Sequence, residues 1–163
     1  MLPKKEVEKA MSTKTDLIAR VSLFSPLKDA DLERIANLTH AHTFQSGDVI
    51  IREGDKDRRL FVIMSGEVEV VKGLGSKKEW RMRILGPHNY FGEMALIDDS
   101  ARSASVIAKV ETEVLTLDHR NLRQAIEKNP AIAFELLQKL SRRIRELEEA
   151  ITNTLGAVLP LLE

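Results

Sequence analysis

The chain has 163 residues, 43 % of them apolar and 31 % charged, with 25 basic side chains balanced by 25 acidic ones. That length suits one domain with a sizeable core and an appended helix, and the zero formal net charge excludes a global field drawing it to DNA or anionic lipid. The absence of cysteine excludes disulfides, thiolate zinc sites, thiol catalysis and cysteine-held iron–sulfur clusters.

Residues 1–14 alternate charges and read as a tail or frayed helix, without an apolar run of signal-peptide length. Nothing later approaches the ~20 apolar residues of a membrane span, so a cytoplasmic protein without a membrane partner is expected. Thr15 to Val21 suits a short helix, and Ser25-Pro26 breaks it. Asp29 or Asp31 is expected to cap the next helix, whose Leu32, Ile35, Ala36 and Leu38 share a face.

Beyond His40 the period becomes alternating. Val49 to Ile51, Leu60 to Met64, Val68 with Val70, Met82 with Ile84, Ser103 to Ala108 and Glu113 to Leu117 form short β-rich runs. Glu67, Glu69, Arg81 and Arg83 interleave the apolar positions, a pattern that buries one face and wets the other. Turn signals at Ser46-Gly47-Asp48, Gly54-Asp55, Ser65-Gly66, Gly73 to Gly75 and Gly86-Pro87 separate the runs. Many short strands so spaced predict a barrel or jelly roll. From His119 the period is helical again: Leu122, Ala125 and Ile126 mark a short helix, and Asn129-Pro130 starts a last helix without internal breakers to about Leu155. The expected division is a barrel with flanking helices over 15–128, a long helix over 130–158 and a tail over 159–163.

The most informative stretch is F-G-E-M-A-L-I-D-D-S-A-R-S-A-S-V, from Phe91 to Val106. Gly92 permits close approach of a ligand to the backbone, and a helical turn opening near Glu93 points amide N–H groups at an anion. Arg102, expected on the following strand, adds a charge-assisted bond to a phosphate. Glu93 is wrong for phosphate but accepts the protons of sugar hydroxyls. One anion receptor beside one hydroxyl receptor suits a ribose phosphate.

The segments F-G-E-M-A-L and R-S-A-S-V, at this spacing and among these barrel glycines, resemble the phosphate-binding cassette of the cyclic-nucleotide-binding domain family. That family includes catabolite activator protein and the regulatory subunits of protein kinase A. The resemblance spans roughly Leu17 to Ile151. It implies an eight-stranded double-stranded β-helix, or jelly-roll barrel, with N-terminal helices and a long C-terminal helix over the ligand. It implies that Glu93 takes the ribose 2′-hydroxyl and Arg102 the exocyclic phosphate oxygens. Gly92, Met94, Ala95, Ser103 and Ala104 would complete the cradle, and Val70 and Met82 would wall the base.

Two positions depart from the family pattern: Ala101 stands where proline usually precedes the arginine, and Leu147-Glu148 where catabolite activator protein meets adenine through Thr-Ser. The expected function is a regulatory sensor without catalysis, taking cAMP in preference to cGMP and no cofactor. Residues 152 to 163 contain no Lys or Arg, so no DNA-reading element is expected in this chain, which reads as a stand-alone sensor or part of something longer.

A heptad crosses the last helix, with Leu137, Ile144, Ile151 and Val158 at a, Leu140, Leu147 and Thr154 at d, and Arg143 at g facing Glu148 at e. It predicts a parallel homodimer beyond Leu140, while the first two turns, Ile132 to Leu137, pack on the chain's own barrel. Two alternatives remain: a metal-dependent cupin-like enzyme using His40 and His42, which share a strand face, and a dimerisation module whose pocket is vestigial.

Overall fold

The computed structural model describes residues 13–158. The expected tails therefore lie largely outside the described residues, and residues 13–14 open helix α1, which is helical over 13–19. A 3₁₀ turn at Ser22–Phe24 and α2 (Asp29–Leu38) follow. Then come β1 (His40–Phe44), β2 (Val49–Ile51), β3 (Arg59–Ser65), β4 (Val68–Lys72), β5 (Trp80–Leu85) and β6 (Tyr90–Phe91). A single turn, α3 (Met94–Ile97), precedes β7 (Ser105–Ala108) and β8 (Thr112–Asp118), and α4 (His119–Lys128) and α5 (Ala131–Val158) end the fold. Neither Asp29 nor Asp31 caps α2: Lys28 occupies the cap position without a side-chain bond. Both carboxylates instead sit in the first turn, where the positive end of the helix dipole favours them.

The eight strands form two antiparallel four-stranded sheets, ordered β1-β8-β3-β6 and β2-β7-β4-β5, the jelly roll that the pattern implies. β3 is buried on both faces. Leu60 and Val62 join Leu115 and Leu117 of β8 against Ile18, Phe24, Ile35, Leu122 and Ile132 of the helices. Phe61 and Ile63 point the other way, into the barrel, with Val68, Val70, Phe91, Val106 and Val114. A strand packed on both faces needs apolar residues at every position, which is why Leu60 to Met64 reads as a run. Phe61 and Phe91 stack at 5.0 Å between centroids and floor the barrel interior. Among the described residues no helix is long and apolar enough to cross a membrane.

A bulge in β5 reverses an expectation. Val70 pairs with Arg83 and Val71 with Arg81, so Met82 is the extra residue between them. Such an insertion rephases the alternation. Arg83, a partner of inward-facing Val70, turns toward the barrel interior, whereas Ile84 is 51 % exposed.

Candidate functional site

The site is built on the hinge between β6 and α3. Gly92 has a φ of 85°, a conformation that side chains with a Cβ seldom adopt. A Cβ there would lie 2.6 Å from Arg102 Nη1 and 2.9 Å from the Arg59 carbonyl oxygen, so the glycine is required by space as well as by conformation. The kink turns Glu93 inward as the N-cap of α3, and it is 3 % exposed. The first amides of such a turn have no partner within the helix.

Arg102 lies in the loop before β7 and not on the strand. It is nonetheless fixed, and 4 % exposed. Its Nη1 donates to the Gly92 carbonyl and its Nη2 to the Arg59 carbonyl, both at 2.7 Å. Asp57 Oδ2 stands 3.7 Å from Nη2 and is itself gripped by Arg59 at 2.9 Å. Burial alone would raise the Asp57 carboxyl, but the Arg59 and Arg102 guanidiniums hold it below the usual range. Burial pulls Arg102 down from its usual value, with Asp57 opposing. Its Nε is buried without a hydrogen-bond partner.

Of the nine residues singled out in the sequence, eight line one cavity: Val70, Gly92, Glu93, Met94, Ala95, Arg102, Ser103 and Ala104. Met82 does not; as the bulged residue it packs at the edge of the barrel's apolar cluster. The space is about 40 Å³, room for a few waters. His40 and His42 are exposed on β1, at the opposite edge of the sheet from β6, and among the described residues no group of three or more metal-ligating side chains assembles. Among the described residues, His40 and His42 gain no third ligand of the kind that the cupin-like alternative needs.

The family model for the cyclic nucleotide-binding domain matches residues 41–129, more than half of the chain. The chain belongs to this family. Among its relatives, the cyclic AMP receptor protein of Thermus thermophilus is 31 % identical over 149 residues, covering 86 % of this chain and 69 % of that one. The cGMP-dependent protein kinase egl-4 of Caenorhabditis briggsae is 36 % identical over 113 residues, covering 68 % of this chain and 15 % of the kinase. The crystal structure of Thermus thermophilus catabolite activator protein superposes with a TM-score of 0.73 at 30 % identity, over 82 % of this chain and 62 % of that one. Several curated relatives are much longer: this chain spans 30 % of one and 65 % of another.

Three features of this cyclic nucleotide-binding domain escape its sequence. Arg83 lines the cavity because of the bulge, and its Nε is buried without a partner. Burial, then the neighbouring Arg143, pulls its guanidinium below the usual value. Arg143 reaches the cavity from α5, with Nη1 3.2 Å from Met94 Sδ, although its spacing alone reads as a heptad flank. Finally, Asp57 and Arg59 brace Arg102 from a segment with no recognisable motif.

Proposed function

We propose that this domain is a non-catalytic sensor that takes a cyclic nucleotide, cAMP in preference to cGMP, in the cavity between Glu93 and Arg102. The observation that carries the reading is the convergence of a buried carboxylate and a buried guanidinium on one cavity. Without a ligand both are costly there, because each burial removes hydration that only partial pairing replaces. A cyclic phosphodiester would satisfy the free Arg102 Nε and the α3 amides, and ribose hydroxyls would donate to Glu93. The cradle of Gly92, Met94, Ala95, Ser103 and Ala104, with Val70 as a wall, supplies the rest. Adenine is favoured because a relative matched over most of both lengths is named for cyclic AMP, whereas the match to a cGMP-dependent kinase covers a small part of that kinase.

Ligand pockets run to about 300 Å³ and above, so about 40 Å³ must open before a nucleotide enters. Arg143 and Met94 close one side, and their contact ties the cavity to α5. A ligand that displaces Arg143 therefore biases the position of the helix, which is the coupling a sensor needs. Beyond that point Ile144, Leu147, Ile151 and Leu155 are exposed large apolar side chains, and pairing of two copies through this stripe would bury them.

Calorimetric titration tests the reading. Binding of cAMP with a Kd below about 100 μM, and weaker binding of cGMP, is expected. No heat with either nucleotide would remove the sensor function, and a stable dimer indifferent to both would leave a dimerisation module.

A further inference from the structure

Lys139 reaches from α5 to the segment that carries Glu93. Its ammonium donates to the Tyr90 carbonyl at 2.9 Å and sits 3.3 Å from the centroid of the Tyr90 ring. The same nitrogen lies 3.9 Å from Glu93 Oε1, an ion pair without a direct hydrogen bond. It is the only salt-bridge partner of Glu93 among the described residues. Lys139 does not line the nucleotide cavity. It occupies the adjoining cleft of about 250 Å³ behind it, with Arg83, His88, Arg142, Arg143 and Glu146. On α5 it follows Leu136, which is buried, and precedes Arg143 by one helical turn.

We propose that Lys139 is a positioning residue for the nucleotide: it pins α5 to the Tyr90–Glu93 hinge and offsets the carboxylate that must share the cavity with an anionic ligand. The inference rests on the cyclic-nucleotide reading of that cavity and names its link to the helix. A bound phosphodiester and Glu93 are two negative charges in one partly buried space, and their repulsion is strong at low dielectric. A cation behind Glu93 reduces it without blocking the ribose hydroxyls. Placed where the buried part of α5 gives way to the exposed part, the same ammonium fixes the point from which the free part swings.

The charge should then be visible in the pH dependence. Burial pushes Lys139 down to about 8; Glu93 opposes this, while Arg83, Arg143 and Arg142 add to it. The ammonium is therefore present at pH 7 and lost as pH rises through that value. Tyr90 does not titrate in this window, since burial and then Glu93 push its hydroxyl up. The other charged or titratable side chains lining the same cleft are His88, Arg83, Arg142, Arg143 and Glu146.

The probe is cAMP, titrated calorimetrically from pH 6.5 to 9.5 into the unaltered chain, Lys139→Gln and Lys139→Met, with exposed Lys77→Met as control. The unaltered chain and Lys77→Met should lose about tenfold in affinity across this range, and both Lys139 variants should be weaker at pH 7 by about that factor, with flat profiles. Equal affinity and an unchanged pH profile in Lys139→Gln would overturn the electrostatic role. Hydrogen exchange without nucleotide tests the pin separately. Lys139→Met should speed exchange in residues 90–93 and 136–143, while unchanged protection would overturn that half. Failure of the unaltered chain to bind any nucleotide would refute the sensor reading and leave the exchange result standing as the test of the pin.

Discussion

The two halves of α5 share one apolar spacing and meet opposite surroundings. Ile132 is fully buried and Leu136 nearly so, both in the cluster shared with the β3–β8 sheet. Ile144 and Ile151 are 57 % and 58 % exposed. Amphipathic period alone does not say what covers an apolar face; only the surface opposite it does. Leu137, expected to pack on the barrel, belongs with the exposed set, because its neighbour Leu136 takes the inward position. The helix is thus an anchored segment continuous with the core and a distal segment whose apolar stripe is exposed. Lys139 and Arg143, both tied to the nucleotide cassette, stand at the change from one to the other.

Substitutions can break that contrast. Ile132→Ala should cost about 2–5 kcal/mol of stability, as a cavity in a closed core does, with a matching loss in denaturant midpoint. Ile144→Ala should stay within about 0.5 kcal/mol in the same measurement made at concentrations where the chain sediments as a monomer; a large loss there would mean that the distal half is also held by the core. At the cassette, Arg102→Ala should weaken cAMP binding by about 2–5 kcal/mol in calorimetry, since it leaves a desolvated phosphate unpaired. Gly92→Ala should cost about 1–3 kcal/mol, through strain at φ 85° and the clash with Arg102, read as a lower Tm. The smallest effect on stability tests the free half most sharply. Ile144→Asp with Ile151→Asp should turn a sedimenting dimer into a monomer while leaving the barrel's unfolding midpoint in place.

Much of this molecule is legible in its sequence, for physical reasons that differ by region. Val49 to Ile51, Val68 with Val70 and Glu113 to Leu117 announce strands because packing repeats along them. Tyr90–Phe91 gives no such signal, being two residues long and held by pairing with Val62 and Phe61. The cassette is legible because its chemistry is local: glycine, carboxylate and guanidinium lie within a short stretch, and the fold closes them onto one cavity. Arg83 is misread because one inserted residue at Met82 inverts the faces of β5, an event that no alternating pattern records. Lys139 and the Asp57–Arg59 brace are invisible for another reason. A lysine on an amphipathic helix and an acid near an arginine are ordinary, and only tertiary burial gives them a role. The capping expectation for α2 fails more simply, because two aspartates in the first turn satisfy the dipole without occupying the cap.

The most direct measurement is a crystal structure grown with excess cAMP. It should show the phosphate oxygens within hydrogen-bond distance of Arg102 Nε and the first amides of α3, the ribose 2′-hydroxyl on Glu93, and Arg143 displaced with the distal half of α5. A cavity still closed by Arg143 and Met94 at saturating nucleotide, or a nucleotide bound elsewhere on the chain, would contradict the account.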